Sequence, residues 1–268
     1  MPRYALEFEW DGRNYAGTAI QATDVTLSSL VLEACAKIQE PDAQLRGSSR
    51  LDAGVSALAL PAHVDLSKTW DCSSLGKALN AHLPAAVAVR RLAVVDADWD
   101  ALRTPSVKHY AYRVLHRSWK PVLNDAVMYV KRLDKPVLLH EMAKRIQGVD
   151  LDLSGFACLR GDDTDHKDPR RNYPHASWTA EPCPGGQQWT FRISGSGFLY
   201  KQVRGLVGSM LAVAQGTYPI ESFLRMCDEG RDSVRRDGNI AAAIGLCLQH
   251  VDYQQEPDWA FISWDSTD

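Results

Sequence analysis

The chain has no strong excess of charge of either sign and no long apolar run. Its 268 residues carry 30 lysines and arginines against 33 aspartates and glutamates, a formal net charge of −3. A domain that binds nucleic acid is often strongly basic, so this balance argues mildly against such a partner and restricts any polyanion site to a local patch. The longest apolar stretch, around Leu206–Ala214, is too short to span a bilayer.

The six cysteines form no C-x-x-C pair, which argues against a zinc ribbon or a thioredoxin-like site. In a chain of this length they are expected to be free, buried thiols in a reducing compartment. The N-terminal residues include the charged Arg3, Glu7 and Glu9 and do not resemble a signal peptide. We therefore expect a cytoplasmic protein without membrane association, or an organellar one if a targeting segment precedes this sequence.

Two phosphate-binding motifs are missing as well. Gly195 and Gly197 lack the third glycine of a dinucleotide-binding loop, and no Gly-Lys-Ser/Thr occurs anywhere in the chain. The acidic run Asp162–Asp168 lacks the glycine and the closing glutamate of a calcium loop. We interpret this run as a solvated loop and expect no metal, with a metal-dependent phosphohydrolase built on it as a minor alternative.

Apolar periodicity predicts two α+β halves, residues 1–103 and 104–268. The first half is predicted to contain a strand over 4–10 with Glu7 and Glu9 opposite its apolar face, a helix over 27–38 capped by Thr26, a strand over 59–66, a short helix over 75–80 and a strand over 87–95. The second is predicted to contain a strand over 110–114, a helix over 138–147, a strand over 189–193, a long helix starting near Phe198, a strand over 244–251 and a frayed tail after Gln254. Connections suited to antiparallel pairing favour α+β over a doubly wound fold.

Three segments carry candidate chemistry, and the first is Gly47–Val55. Asp52 lies there among small residues, two positions after Arg50, in a loop that another molecule can approach closely. A neighbouring cation would keep such a carboxylate ionised. The structural alternative is that Asp52 only caps a helix or turn that begins at Ala53.

The second segment is Lys108–Arg113, in which tyrosines alternate with basic residues. Such a strand can stack bases on its aromatic side chains and contact phosphates through its cations. The alternative is a core strand, because Tyr110 and Tyr112 are equally typical of one.

The third segment, Ser194–Gly205, leads into the long helix. A helical wheel predicts one buried arc with Arg204 at its edge, close to Lys201; the arc contains Leu199, Val203, Leu206, Val207, Met210 and Ala214. Arg204 at such an edge either extends to solvent or pairs with a carboxylate in a half-buried place.

Together these segments resemble the TruA family of tRNA pseudouridine synthases, in the family's order along nearly the whole chain. Gly47–Val55 is similar to the catalytic signature G-x-G/S-R-T-D-A-G-V-H-A, Lys108–Arg113 to K-x-Y-x-Y, and Phe198–Gly208 to F-L-Y-x-M-V-R-x-I-V-G. Shorter similarities lie at Phe8–Gly17, Asn80–Pro84, Ser154–Phe156 and Gly245–Leu248.

The resemblance implies two similar α+β halves whose antiparallel sheets join into a central sheet flanked by helices, with an active-site cleft between the halves. It also implies a homodimer that grips the anticodon arm of tRNA and isomerises uridine to pseudouridine without cofactor or metal. Asp52 would be the essential carboxylate, as a nucleophile or as the base that takes a ribose proton. Arg204 would pair with Asp52 and lower its pKa, and Tyr110 would stack on the target base and assist removal of the C5 proton.

The remaining roles implied by the resemblance concern binding of the RNA. Arg50 would help to extrude the uridine from its stack, and three further cations would contact phosphates, namely Lys108, Arg113 and Lys201.

Several positions depart from the family's pattern. Thr18-Ala19 stands where the family has Trp-Gln, Leu51 and Ser56 replace the Thr and His of the signature, and Asp100–Arg103 replaces a His-Ala-Arg-Phe stretch that helps to hold RNA. These changes affect residues that grip RNA more than those that carry the chemistry. A catalytically idle homologue that binds RNA, such as an assembly factor, is therefore the alternative function.

Overall fold

The computed structural model describes residues 1–123, 126–158, 168–230 and 240–262. The chain forms two compact units, Met1–Lys108 with Leu248–Asp268, and His109–Cys247. The halves drawn from the sequence divide after Arg103, whereas the units divide after Lys108 and the first unit also takes the C-terminal segment. The acidic run considered for a metal lies, apart from Asp168, outside the described residues.

The secondary structure consists of twelve strands and five helices in the described ranges. The strands are β1 (Arg3–Trp10), β2 (Gln44–Gly47), β3 (Ser56–Asp65), β4 (Val87–Val95), β5 (Pro105–Arg117), β6 (Met128–Val130), β7 (Asp150–Asp152), β8 (Arg170–Asn172), β9 (His175–Cys183), β10 (Gly186–Gly195), β11 (Leu246–Tyr253) and β12 (Ala260–Phe261). The helices are α1 (Leu27–Lys37), α2 (Cys72–His82), α3 (Val137–Ile146), α4 (Gln202–Ala214) and α5 (Ile220–Glu229). The predicted α+β class is confirmed.

In the first unit the strands follow the order β12-β4-β1-β3-β11, and β2 also pairs with β3. Strand β1 is antiparallel to both of its neighbours and buries the predicted apolar face, which consists of Tyr4, Leu6, Phe8 and Trp10. Helix α1 begins where the sequence predicts, because Thr26 and Ser29 form a reciprocal capping box at its first turn.

The face of β1 opposite its apolar side chains contains Glu7, as predicted. Glu7 is nevertheless buried, because Arg91 faces it from β4 and binds both of its carboxylate oxygens, at 2.8 and 2.7 Å. The tail that was expected to fray after Gln254 forms β12 against β4. The Trp259 ring lies 4.6 Å from the Arg91 guanidinium, so the tail covers one side of this ion pair.

The second unit has the strand order β5-β10-β9, with β6 parallel to β5 and with β7 and β8 as a separate pair. Helix α4 packs against α3, α5 and the short turn Ser154–Phe156, and Trp178 of β9 donates to the Met210 sulfur at 3.3 Å. Every residue of α4 except Arg204 is consequently buried. The single buried arc drawn from the helical wheel is therefore wrong, since the helix is enclosed on all sides.

Helix α4 also begins later than predicted, at Gln202 instead of near Phe198. Lys201 has a left-handed backbone with φ of +57°, which an α-helix excludes. The buried Gln202 side chain stabilises this break, because its Oε1 accepts from the Leu199 amide at 2.9 Å and from the Tyr173 hydroxyl at 2.6 Å. Its amide nitrogen donates to the Leu153 carbonyl at 3.1 Å.

All six cysteines are free, but only Cys35 and Cys227 are buried, and the other four are partly exposed. Burial raises the pKa of the Cys35 thiol to about 11 and that of Cys227 to about 12, so both stay protonated near neutral pH. Within the described ranges, no helix has both the length and the apolar character that a membrane span requires.

Candidate active site

Asp52 lies in the loop that joins β2 to β3. Its carbonyl accepts a hydrogen bond from the Val55 amide at 3.1 Å, and Gly54 occupies the left-handed region of that turn with φ of +80°. A turn, and not a helix, follows the residue, and its side chain is half-buried. The carboxylate thus has a fixed backbone and partial access to solvent.

The Asp52 loop rests directly on the backbone of an earlier segment of the same unit. The Gly54 amide donates to the Tyr15 carbonyl at 3.2 Å, and the Thr18 amide donates to the Leu51 carbonyl at 3.3 Å. Gly17 has φ of +96°, and a Cβ there would lie 2.3 Å from the Leu51 oxygen. The segment similar to the family's opening motif therefore packs under the loop, and only glycine permits this approach.

Lys108 contacts the Asp52 loop as well. Its ammonium donates to the Ser48 carbonyl at 2.8 Å, and burial lowers its pKa. The side chain is directed at the loop, which favours a role in holding it, and the phosphate contact implied by the family resemblance is the alternative. Arg50 is exposed on the same loop, as an RNA contact requires.

Two positions of this unit that depart from the family's pattern, Ser56 and Asp100, have defined contacts. Ser56 accepts a hydrogen bond from the Gly12 amide at 3.1 Å and so joins the opening motif to the start of β3. Asp100 accepts from the amides of Leu102 and Arg103 at 2.8 and 3.2 Å, and its second oxygen lies 3.4 Å from an Arg46 nitrogen. The Asp100 carboxylate thus partly neutralises the charge of Arg46, which lowers the positive potential that would attract a phosphate here.

Tyr110 lies on β5 in the second unit, with 8% of its surface exposed. Its ring meets Phe198 edge-on at a centroid distance of 5.1 Å, and Phe198 stacks on Tyr173 at 5.0 Å. Tyr112, by contrast, is fully buried, donates to the Ala242 carbonyl at 2.6 Å, and has its pKa raised by burial. The core alternative therefore describes Tyr112 well, and Tyr110 is buried as well but keeps 8% of its surface exposed.

Arg204 is tied to the segment that precedes β11. Its Nε donates to the Ala241 carbonyl at 2.8 Å, and its own carbonyl accepts from the Ala241 amide at 3.0 Å. The half-buried Lys201 holds its ammonium 4.8 Å from the centre of the Tyr200 ring, and Arg113 is half-buried on β5. Both cations thus retain some access to solvent.

The candidate residues fall into two groups. Arg50, Asp52 and Lys108 belong to the first unit, and the second contains Tyr110, Arg113, Lys201 and Arg204. The pairing of Arg204 with Asp52 stays a prediction. Sequence reasoning missed the parts played by Tyr173 and Gln202, since neither lies in a pattern that distinguishes it from its neighbours.

Comparison with known proteins identifies the family of the chain. Residues 152–254 match the family model of tRNA pseudouridine synthase. The tRNA pseudouridine synthase A of Mesorhizobium japonicum is 34% identical over 258 residues, which is 94% of this chain and 100% of that protein. The protein of the same name from Beijerinckia indica is 33% identical and covers 96% of this chain and 95% of its own length.

A third relative, the tRNA pseudouridine synthase A of Dinoroseobacter shibae, is 33% identical and covers 96% of this chain and 98% of its own length. Among solved structures, a chain of a Cbf5-Nop10-Gar1 complex aligns with 93% of this chain and 48% of its own length. Its TM-score of 0.36 and identity of 12% are too low to carry an argument. On the strength of relatives that match from end to end, this chain belongs to the tRNA pseudouridine synthase family.

Proposed function

We propose that this protein isomerises uridine to pseudouridine in the anticodon arm of tRNA, with Asp52 as its essential carboxylate. The observation that carries the proposal is the Asp52 loop, which resembles the family's catalytic signature except at Leu51 and Ser56 and is fixed by backbone contacts to the segment before it. The end-to-end relatives are named as synthases. An idle RNA-binding homologue is therefore not favoured.

The reaction needs no second substrate, because atoms and electrons balance within the nucleotide. The N1–C1′ bond of uridine breaks, a C5–C1′ bond forms, the C5 proton leaves and N1 gains a proton. Asp52 starts this exchange, either by attack on the base or ribose or by taking a ribose proton. Tyr110, braced by Phe198, offers a ring for stacking on the base and a phenol for moving the C5 proton.

The other candidate residues of this proposal bind and orient the RNA. Arg50 is exposed on the Asp52 loop and helps to extrude the uridine from its stack, while Arg113 and Lys201 contact phosphates. Arg204 supports the ionised form of Asp52. A homodimer acting in the cytoplasm, without cofactor or metal, completes the proposal.

The test is release of tritium from tRNA transcripts that contain 5-tritiated uridine. Wild-type protein is expected to release tritium into water, and the release should disappear when the uridines of the anticodon arm are replaced by cytidine. Release that survives this replacement would contradict the anticodon arm as the target. An absence of release from every tRNA offered would contradict the synthase itself.

Replacement of Arg204 by alanine is expected to abolish most of the activity with a small loss of stability. Arg204 is the one residue of α4 that is not buried, so truncation disturbs the packing little, and the hydrogen bond lost to the Ala241 carbonyl contributes about 1 kcal/mol. Loss of a charge that supports the reacting carboxylate should lower kcat by about 100-fold or more. Thermal melting and tritium release are measured together.

The matched control is Arg225→Ala, which removes an exposed arginine from α5. Its activity and melting temperature should equal those of the wild type. A melting temperature of Arg204→Ala more than about 10 °C below wild type, several times the shift expected for one hydrogen bond, would instead assign Arg204 a structural role.

Replacement of Lys108 by methionine separates its two possible roles. Because its ammonium donates to the Ser48 carbonyl, we expect a lower kcat with an unchanged dependence of tRNA binding on salt. A phosphate contact would instead reduce the slope of log K against log salt by about 1. Filter binding over a salt series and tritium release distinguish these outcomes, and a reduced slope with normal kcat would contradict the expectation.

A further inference from the structure

Thr18 is a departure from the family's pattern to which the reaction assigns no role, yet its side chain lies against the Asp52 loop. It is buried, with 6% of its surface exposed. Its hydroxyl accepts a hydrogen bond from the Leu51 amide at 2.9 Å and donates to the Ser49 carbonyl at 3.3 Å. We propose that this hydroxyl is a positioning group that fixes the Asp52 loop for the isomerisation, an inference that rests on the proposed function.

The chemistry of a hydroxyl suits this task. It carries one hydrogen and two lone pairs, so a single oxygen can accept from one backbone group and donate to another. Here the hydroxyl joins the Ser49 carbonyl to the Leu51 amide. These two groups lie on either side of Arg50, and Leu51 directly precedes Asp52. The side chain of another segment thereby restrains the backbone immediately before Asp52.

Thr18 is itself mounted on a rigid element. The Ser28 amide donates to the Thr18 carbonyl at 3.2 Å, and the Leu27 amide donates to the Gly17 carbonyl at 3.0 Å, both in the first turn of α1. These bonds satisfy helix amides that would otherwise lack a partner. The segment that carries Thr18 is thereby tied to the N-terminus of a packed helix.

The altered residues at positions 18 and 51 form one contact and are therefore best explained together. Leu51 stands where the family signature has threonine, so the hydroxyl is lost from the loop. Thr18 supplies a hydroxyl from the facing segment, and it bonds the amide of the altered residue Leu51 itself. Thr18 thus supplies a polar restraint at the altered position 51.

The test compares Thr18→Val, which removes the hydroxyl at nearly constant volume, with Thr18→Ser, which keeps it. We expect Thr18→Val to lower kcat about 10- to 100-fold, because a displacement of about 1 Å of a reacting group can cost about 100-fold. KM for tRNA should change less than about 3-fold, since no RNA contact is removed. Thr18→Ser should retain kcat within about 3-fold of the wild type, because it keeps the hydroxyl.

Amide hydrogen exchange at Leu51 reports on the restraint independently of activity. Exchange at this amide is expected to accelerate in Thr18→Val and to stay near the wild-type rate in Thr18→Ser, because only the valine removes its acceptor. Thr18→Ala, which lacks the hydroxyl and adds no apolar branch, is measured in parallel and should match the valine variant. Assays are run well below the melting temperature of each variant.

Three results would overturn the proposal. The first is unchanged Leu51 exchange in the variants without the hydroxyl, and the second is accelerated exchange with wild-type kcat. The third is equal loss of kcat in serine and valine variants. An active wild type with an equally active Thr18→Val refutes only this inference, whereas an inactive wild type refutes the proposed function and this inference with it.

Discussion

Replacement of Asp52 by alanine should eliminate tritium release from tRNA, with a loss on the order of 10³-fold or more, as is usual when the group that starts a covalent or proton-transfer step is removed. The fold should be preserved, because the loop is held through backbone atoms of Asp52, Gly54 and Leu51 and not through the carboxylate alone. The melting temperature is expected to stay within about 4 °C of the wild type.

Two variants make this result specific. Asp52→Asn keeps the volume of the side chain and should be as inactive as alanine, because an amide neither attacks carbon nor accepts a proton at neutral pH. Asp42→Ala removes an exposed carboxylate from the same unit and should leave the rate unchanged. Tritium release by Asp52→Asn at more than about a tenth of the wild-type rate would exclude Asp52 as the essential group.

RNA binding supplies a second measurement on the same variant. Asp52→Ala should bind tRNA at least as tightly as the wild type, because the change removes a negative charge from a surface that meets phosphates. An idle homologue would also bind RNA after this change, but its wild type would form no pseudouridine. The wild-type reaction therefore separates the two functions.

Replacement of Gly205 by alanine is expected to give the largest loss of stability. A Cβ at this position would lie 1.8 Å from the Phe156 carbonyl oxygen and 2.8 Å from its carbon. Both neighbours are backbone atoms, since α4 packs here directly on the turn Ser154–Phe156. Helix and turn must separate, and overpacking of this kind costs about 3 kcal/mol, which corresponds to about 6–12 °C in melting temperature.

The control for this prediction is Gly197→Ala. Nothing lies within 4 Å of a Cβ at Gly197, so the melting temperature should remain within about 2 °C of the wild type. Activity should fall with Gly205→Ala, because Arg204 precedes the displaced residue. A normal melting curve for Gly205→Ala would show that α4 does not approach the turn this closely.

Net charge was a poor guide to the partner of this protein. The balance of −3 argued mildly against nucleic acid, yet the chain belongs to a family named for tRNA. Whole-chain charge mainly determines non-specific affinity, and it averages over surfaces that never meet the ligand. The proposed contacts are a few local cations, and we expect binding of random RNA to be weak and sensitive to salt.

Features with local causes could be predicted from the sequence. Alternation placed β1 and β4 within a residue of their bounds, and Thr26 marked the start of α1, because periodicity and capping depend on neighbours along the chain. The turn at Asp52 follows from the small residues beside it and from Gly54, which adopts the positive φ that the turn requires.

Features that depend on partners distant along the chain could be seen only in the folded protein. Glu7 can be buried because its carboxylate pairs with Arg91, which lies 84 residues further along the chain. The hydrogen bond between Thr18 and Leu51 spans 33 residues, and the one between Lys108 and Ser48 spans 60. The enclosure of α4 and the pairing of β12 have the same origin. The periodicity of a sequence predicts which side chains share a face of a helix or strand. Whether that face is buried depends on the segments that pack against it in the folded protein.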